Sequence, residues 1–254
     1  MRILRSFAII INYKTFTVAI LAVISTWVCK QYGITADFPL TLIGIAIVFP
    51  IVFSIDSAYK RRENALKHYA DLKAHGLSLY YGARDWVENE NQDFPLRIKG
   101  IIEAIMVSIQ NVLSLKEVEF EKEKLVYDNF SKLSEVSKEF RSRGLSAGEL
   151  SRANQYISKM IIAFDNMKII YQYRTPVTLR AYSRVFIYSF PIIYGPYFAF
   201  TFQSYSPGLG YLMPILYSFI LISLDNIQDH LENPYDDIGE DDIRLDVKEF
   251  MRLM

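Results

Sequence analysis

Charged residues avoid two long stretches of this chain. Only Lys14, Lys30 and Asp37 interrupt residues 6–53, and no Asp, Glu, Lys or Arg falls within 185–224. Between them, residues 56–184 are densely charged. A water-soluble fold needs one apolar face per element, so it rarely segregates its charges in this way. Lipid offers no hydrogen bonds, so a spanning segment is apolar on most faces. The pattern predicts four spans: residues 16–28 with an apolar extension at 7–11, then 39–55, 185–202 and 209–224. Several lie near the lower limit of about 17 residues. Pro50, Pro191, Pro196 and Pro214 fall inside them. Neighbouring helices or water can satisfy the carbonyls that such prolines free, which points to a packed bundle.

The charged middle carries a different period. Ile98, Ile101, Ile102, Ile105, Ile109, Val112 and Leu113 recur mostly at three and four residues, the stripe of an amphipathic helix. Glu103 and Gln110 interrupt this run and it is short, so it is read as a soluble helix, not a fifth span. Val126, Phe130, Leu133, Val136 and Phe140 mark a second helix. Ser146 and Glu149 have capping-box spacing and open a third, whose apolar face is Leu150, Ala153, Ile157, Met160, Ile161, Phe164 and Met167. Pro176 stops it. The expected organisation is a membrane helix pair at 1–57, a cytoplasmic helical region at 58–181, a second membrane pair at 182–228 and an acidic cytoplasmic tail at 229–254. The fold class is all-α, a membrane protein with four transmembrane helices per subunit.

Composition adds three constraints. The average of 51% hydrophobic and 22% charged residues conceals the segregation, so the average alone would suggest an ordinary soluble domain. Net charge is zero, which removes the electrostatic case for nucleic acid. The lone cysteine, Cys29, excludes an internal disulfide and reads as a small packed hydrophobe. No small-residue cleavage site follows the first apolar run, so it is expected to be a retained span and not a signal peptide. Arg2, Arg5, Lys14, Lys60–Arg62, Arg174, Arg180 and Arg184 flank one side of the spans, while the two short connecting loops carry few cations or none. Positive charge stays inside, so both termini and the middle are expected to be cytoplasmic, in a cell membrane crossed several times. Trp27, Tyr182 and Tyr211 suit an interfacial belt.

The sharpest candidate chemistry lies in the second span. Ile45, Phe49 and Phe53 sit at i, i+4 and i+8 on one helix face over a rise of about 12 Å. Such a stripe can simply face lipid or core. Repeated around an axis in an oligomer, it becomes stacked apolar rings that gate by dewetting. Aromatic edges are electropositive and favour a passing anion. Asp56, about one turn further, would add an acidic ring that favours cations. His68, His75 and His230 are too scattered for a zinc site, and no phosphate loop or nucleophile arrangement is evident, so an enzyme is not expected.

These residues resemble the bestrophin family of pentameric ion channels. The stretch 44–53 is similar to that family's pore-lining second span, with Ile45, Phe49 and Phe53 on its neck positions. The segment 58–63 is similar to the polar run that follows it. Leu224-Asp225-Asn226-Ile227 and Leu231-Glu232-Asn233-Pro234-Tyr235 resemble the signature after the last span. The resemblance implies a homo-pentamer in lipid that passes ions, usually chloride, with cation conductors among bacterial members. It sets Leu145 near a second, cytoplasmic constriction, although a packing residue before a helix start fits the same position. Eukaryotic members bind calcium near the acidic tail. Asn233, Asp237, Asp241 and Asp242 would supply oxygens here, against the simpler reading of a solvated acidic cap. The compact chain is more similar to prokaryotic members, for which no cofactor is expected. A non-conducting membrane scaffold, or a membrane enzyme using a metal at the acidic cluster, are the rival readings.

Overall fold

A computed structural model describes residues 11–37, 39–87, 93–115, 119–173, 176–201, 209–236 and 241–254. The apolar stretch 7–10, Arg2, Arg5, Arg174, the loop 203–208 and Asp237 lie outside these residues. Every regular element among the described residues is helical: α1 (Tyr13–Gln31), α2 (Leu40–Asp85), α3 (Asp93–Leu113), α4 (Phe120–Ser142), α5 (Ala147–Gln172), α6 (Val177–Ile193), α7 (Gly195–Thr201), α8 (Leu209–Glu232) and α9 (Val247–Met251). They form two compact units. Unit one contains Met1–Lys60 and Arg174–Glu232, and unit two contains Arg61–Tyr173 and Asn233–Met254.

In unit one, α1 packs against α6, α7 and α8. Its start is fixed by Asn12, whose side chain accepts the Lys14 N–H at 3.0 Å, while the Thr15 hydroxyl accepts the Asn12 N–H. This reciprocal pairing satisfies amides that a helix start leaves open. The core holds Val18 of α1, Ile47 and Ile51 of α2, Phe190 of α6, Phe198 of α7 and Ile222 of α8. Much apolar surface remains outside it. Phe16, Ile20, Ile24 and Trp27 of α1 are all more than half exposed, as are Val185 and Ile192 of α6. Cys29 is buried and faces α7: a Cβ on Gly195 would fall 3.1 Å from its sulfur and 2.3 Å from Ser25 Oγ. Only glycine permits that approach.

Two expected spans change shape. The stretch 185–202 is not one helix: α6 begins earlier, at Val177, and the helix is interrupted at Tyr194 before α7. Pro196 has no N–H for the Ile192 carbonyl, and Pro191 has none for Ile187, so the ladder loses two bonds around the break. Pro196 falls in the first turn of α7, where a missing donor costs little. The second stretch does not end near Ile55. α2 runs on without a break to Asp85 and passes through Pro50. Among the described residues, α8 is the one helix both long and apolar enough to cross a bilayer by itself.

Unit two is built as its stripes require. Ile98, Ile102, Ile105 and Ile109 of α3 are fully or almost fully buried, with Val126, Leu133 and Phe140 of α4 and Met160, Phe164 and Met167 of α5. Phe94 meets Phe140 edge-on at 4.9 Å between ring centroids. Ser146 caps α5 by accepting the Glu149 N–H, and its hydroxyl donates to the Glu149 carboxylate at 3.1 Å. The chain end joins this core through Ile243, Leu245, Val247 and Phe250. Arg61 donates to the Ile170 carbonyl at 2.5 Å, near the C-terminal end of α5, where carbonyls lack helical donors.

Candidate functional site

The second-span residues lie on an uncovered face of α2. Ile45 is 48% exposed, Phe49 54% and Phe53 61%, whereas Ile47 and Ile51 on the opposite side are buried in unit one. One helix thus shows both a packed apolar face and an open apolar face. The Phe49 and Phe53 rings are 6.0 Å apart and tilted by 32°. Covering such residues by protein or lipid is favourable at roughly 25 cal/mol per Å² of apolar surface, and no part of the described protomer covers them.

Asp56 and Lys60 continue this face. Lys60 Nζ donates to Asp56 Oδ2 at 2.7 Å, and both side chains are more than half exposed. At 100° per residue, Ile45, Phe49, Phe53, Asp56 and Lys60 fall within an arc of about 80°. Asp56 was legible as a charge below the stripe. Its pairing with Lys60 has its signal in the sequence too, in the i, i+4 spacing of acid and base.

Leu145 takes a different place. It is 6% exposed within the core of unit two, and its N–H donates to the Phe140 carbonyl at 3.1 Å. The preceding Gly144 has φ 85°, which turns the chain so that Leu145 points inward between α4 and α5. Its side chain packs within the core of unit two.

Three of the four candidate calcium ligands, Asn233, Asp241 and Asp242, are among the described residues. Asn233 Oδ1 accepts the Tyr235 N–H, and the Asp241 carbonyl accepts the Arg62 guanidinium at 2.8 Å. A cation already at that carbonyl opposes a divalent ion there. Asp242 is half-buried, Asp241 is exposed, and Asp237 lies outside the described residues. No cluster of three His, Cys, Asp or Glu is placed to hold a metal among the described residues.

A second polar assembly lies in unit one. Arg184 of α6 donates to Asp229 of α8 at 2.5 Å and lies 3.7 Å from the buried Asp225. Lys14 reaches Asp229 at 3.4 Å, Asn12 donates to Asn226 at 2.8 Å, and Arg180 lies 4.0 Å from Glu232. Opposite charges balance across α1, α6 and α8, which suits helix clamping. The pairs of Lys14 and Asn12 join residues more than 200 positions apart, which leaves no local signal in a sequence.

The chain has the all-helical fold of a class of membrane proteins of known structure. Specifically, it is similar in fold to bacterial bestrophin homologues. A Klebsiella pneumoniae bestrophin homologue superposes with TM-score 0.76 at 16% identity, over 94% of this chain and 93% of that one. A point variant of a Klebsiella homologue gives 0.80 at 16% identity, over 94% of both chains. A structure described only as a membrane protein gives 0.78 at 15% identity, over 95% and 97%. No protein-family model matches the sequence, and no curated protein matches it.

Proposed function

We propose that this chain is the subunit of a homo-oligomeric, bestrophin-like ion channel, most simply a pentamer, in a cell membrane. Each subunit contributes four spans, from α1, the first part of α2, the α6–α7 pair and α8. The termini and residues 58–181 are cytoplasmic. Ile45, Phe49 and Phe53 from every subunit line a hydrophobic neck that a permeating ion passes. Chloride or a related anion is the first reading, because chloride is the usual ion of the family this chain resembles, and electropositive aromatic edges are compatible with it. No enzymatic step is assigned, and no step runs through calcium.

The observation that carries this reading is the open stripe of α2, three large apolar residues left uncovered beside a packed face. The fold likeness and the apolar exterior of α1, α6 and α8 support a lipid setting. Asp56 would favour a second reading, cation conduction through the same fold, where its charge is not offset by Lys60.

The test is ion flux through purified protein in liposomes, with reversal potentials under a potassium chloride gradient. The expected result is an ionic conductance that Phe49→Ala and Phe53→Ala alter, since they widen the neck and lower its dewetting barrier. Absence of conductance from the parent and both variants would leave the non-conducting scaffold as the better account.

A further inference from the structure

We infer that Lys60 is a selectivity-determining residue, acting as the counter-charge that cancels Asp56 beside the neck; this rests on the channel reading above. The two side chains join at 2.7 Å one helical turn apart. Both lie on the same narrow arc of α2 as the neck residues, with Asp56 about 4.5 Å and Lys60 about 10.5 Å along the axis from Phe53. Both are open to water on the face that the protomer leaves uncovered. Arg61 and Arg62, the next cations, are committed inside unit two: Arg61 to the Ile170 carbonyl, Arg62 to Glu63 and the Asp241 carbonyl. Lys60 instead turns back one turn toward the stripe.

An isolated carboxylate on each subunit would make an acidic ring, attracting cations and repelling anions. A carboxylate with an ammonium in contact is a short dipole, whose field falls off much faster than that of a single charge. The ring then carries no net charge, and the apolar neck is left to discriminate. Removing either partner converts the dipole into a full charge of known sign. The fold tolerates this, because an exposed pair contributes little to stability.

The experiment is the potassium-to-chloride permeability ratio, from reversal potentials at about 0.1 M salt, where screening extends over about 10 Å. Parent, Lys60→Gln, Asp56→Asn, the double variant and Lys60→Arg are compared after each is shown to keep the parent particle mass. Lys60→Gln is expected to raise the ratio about fivefold or more, and Asp56→Asn to lower it by a similar factor, as one unit charge near an ion in water requires. The double variant and Lys60→Arg should return close to the parent. If both single variants conduct with the parent ratio, the inference fails and the channel reading stands. If no protein conducts, both fail together.

Discussion

Tyr235 shows how a single buried atom makes a prediction. Its ring is 2% exposed in unit two, and its hydroxyl has no hydrogen-bond partner among the described residues. Burial pushes the phenol above its ordinary range, outweighing the opposing field of Arg61. Deleting an unpaired buried hydroxyl removes a desolvation cost of about 1–3 kcal/mol. Tyr235→Phe is therefore expected to unfold at the same or a higher temperature. Tyr235→Ala should lose about 3–5 kcal/mol, because it empties a ring-sized space. Thermal melts of the three solubilised proteins check this, and a clear loss in Tyr235→Phe would mean that the hydroxyl has a partner. His75 makes the complementary case. Its imidazole stacks on Tyr156 at 5.9 Å. Burial and Lys159 hold its pKa below the ordinary value, against the pull of Asp71. The unfolded chain thus takes up this proton first as pH falls through about 6.5, so the stability contribution is present above that pH and lost below it. Replacing His75 with Gln should flatten that part of the stability curve between pH 7.5 and 5.5, and an unchanged slope would contradict the assignment. Residue identity announced neither effect, because both depend on what packs around the ring.

At the scale of elements, the apolar periods were reliable guides. The stripes of α3, α4 and α5 are buried apart from Ile101, Val136, Leu150 and Ile161, which pack half-buried at the core's edge, and Ser146 caps α5. The turn before it gives a sharp test. Gly144 has φ 85°, and an added Cβ would meet nothing within 4 Å. Gly144→Ala should therefore cost about 1–2 kcal/mol from backbone strain alone, without a packing clash. Denaturant midpoints measure it, and a neutral result would mean the turn readjusts. Less legible were the continuity of α2 and the break at Tyr194. Pro50 and Pro196 are the same residue in a sequence. One is carried through a helix, while the other begins a new one beside Gly195, which lies too close to Ser25 for any side chain. Neighbouring helices decide between these outcomes, and neighbours are not local information.

At the scale of the molecule, the proposed channel needs copies of itself. The α2 stripe closes a path only if several subunits surround it. A detergent-solubilised particle of about five times the 29.5 kDa chain is expected, measured by light scattering with the detergent subtracted. A monomer or dimer would leave the stripe facing lipid and exclude an axial path.

The order of charged and apolar segments by itself determined the helical class and the buried stripes of α3, α4 and α5, because burial period is written along the chain. It also pointed to Ile45, Phe49, Phe53 and Asp56. Only the tertiary structure decided which apolar residues are spent on packing. It buried Ile47 and Ile51, left Ile45, Phe49 and Phe53 open, and enclosed Leu145. It also joined Arg184 of one helix to Asp229 of another, and showed Lys60 against Asp56. The physical reason is common to all of these. A hydrophobic pattern says that a face must be covered, whereas the neighbour that covers it comes from elsewhere in the chain or from another copy.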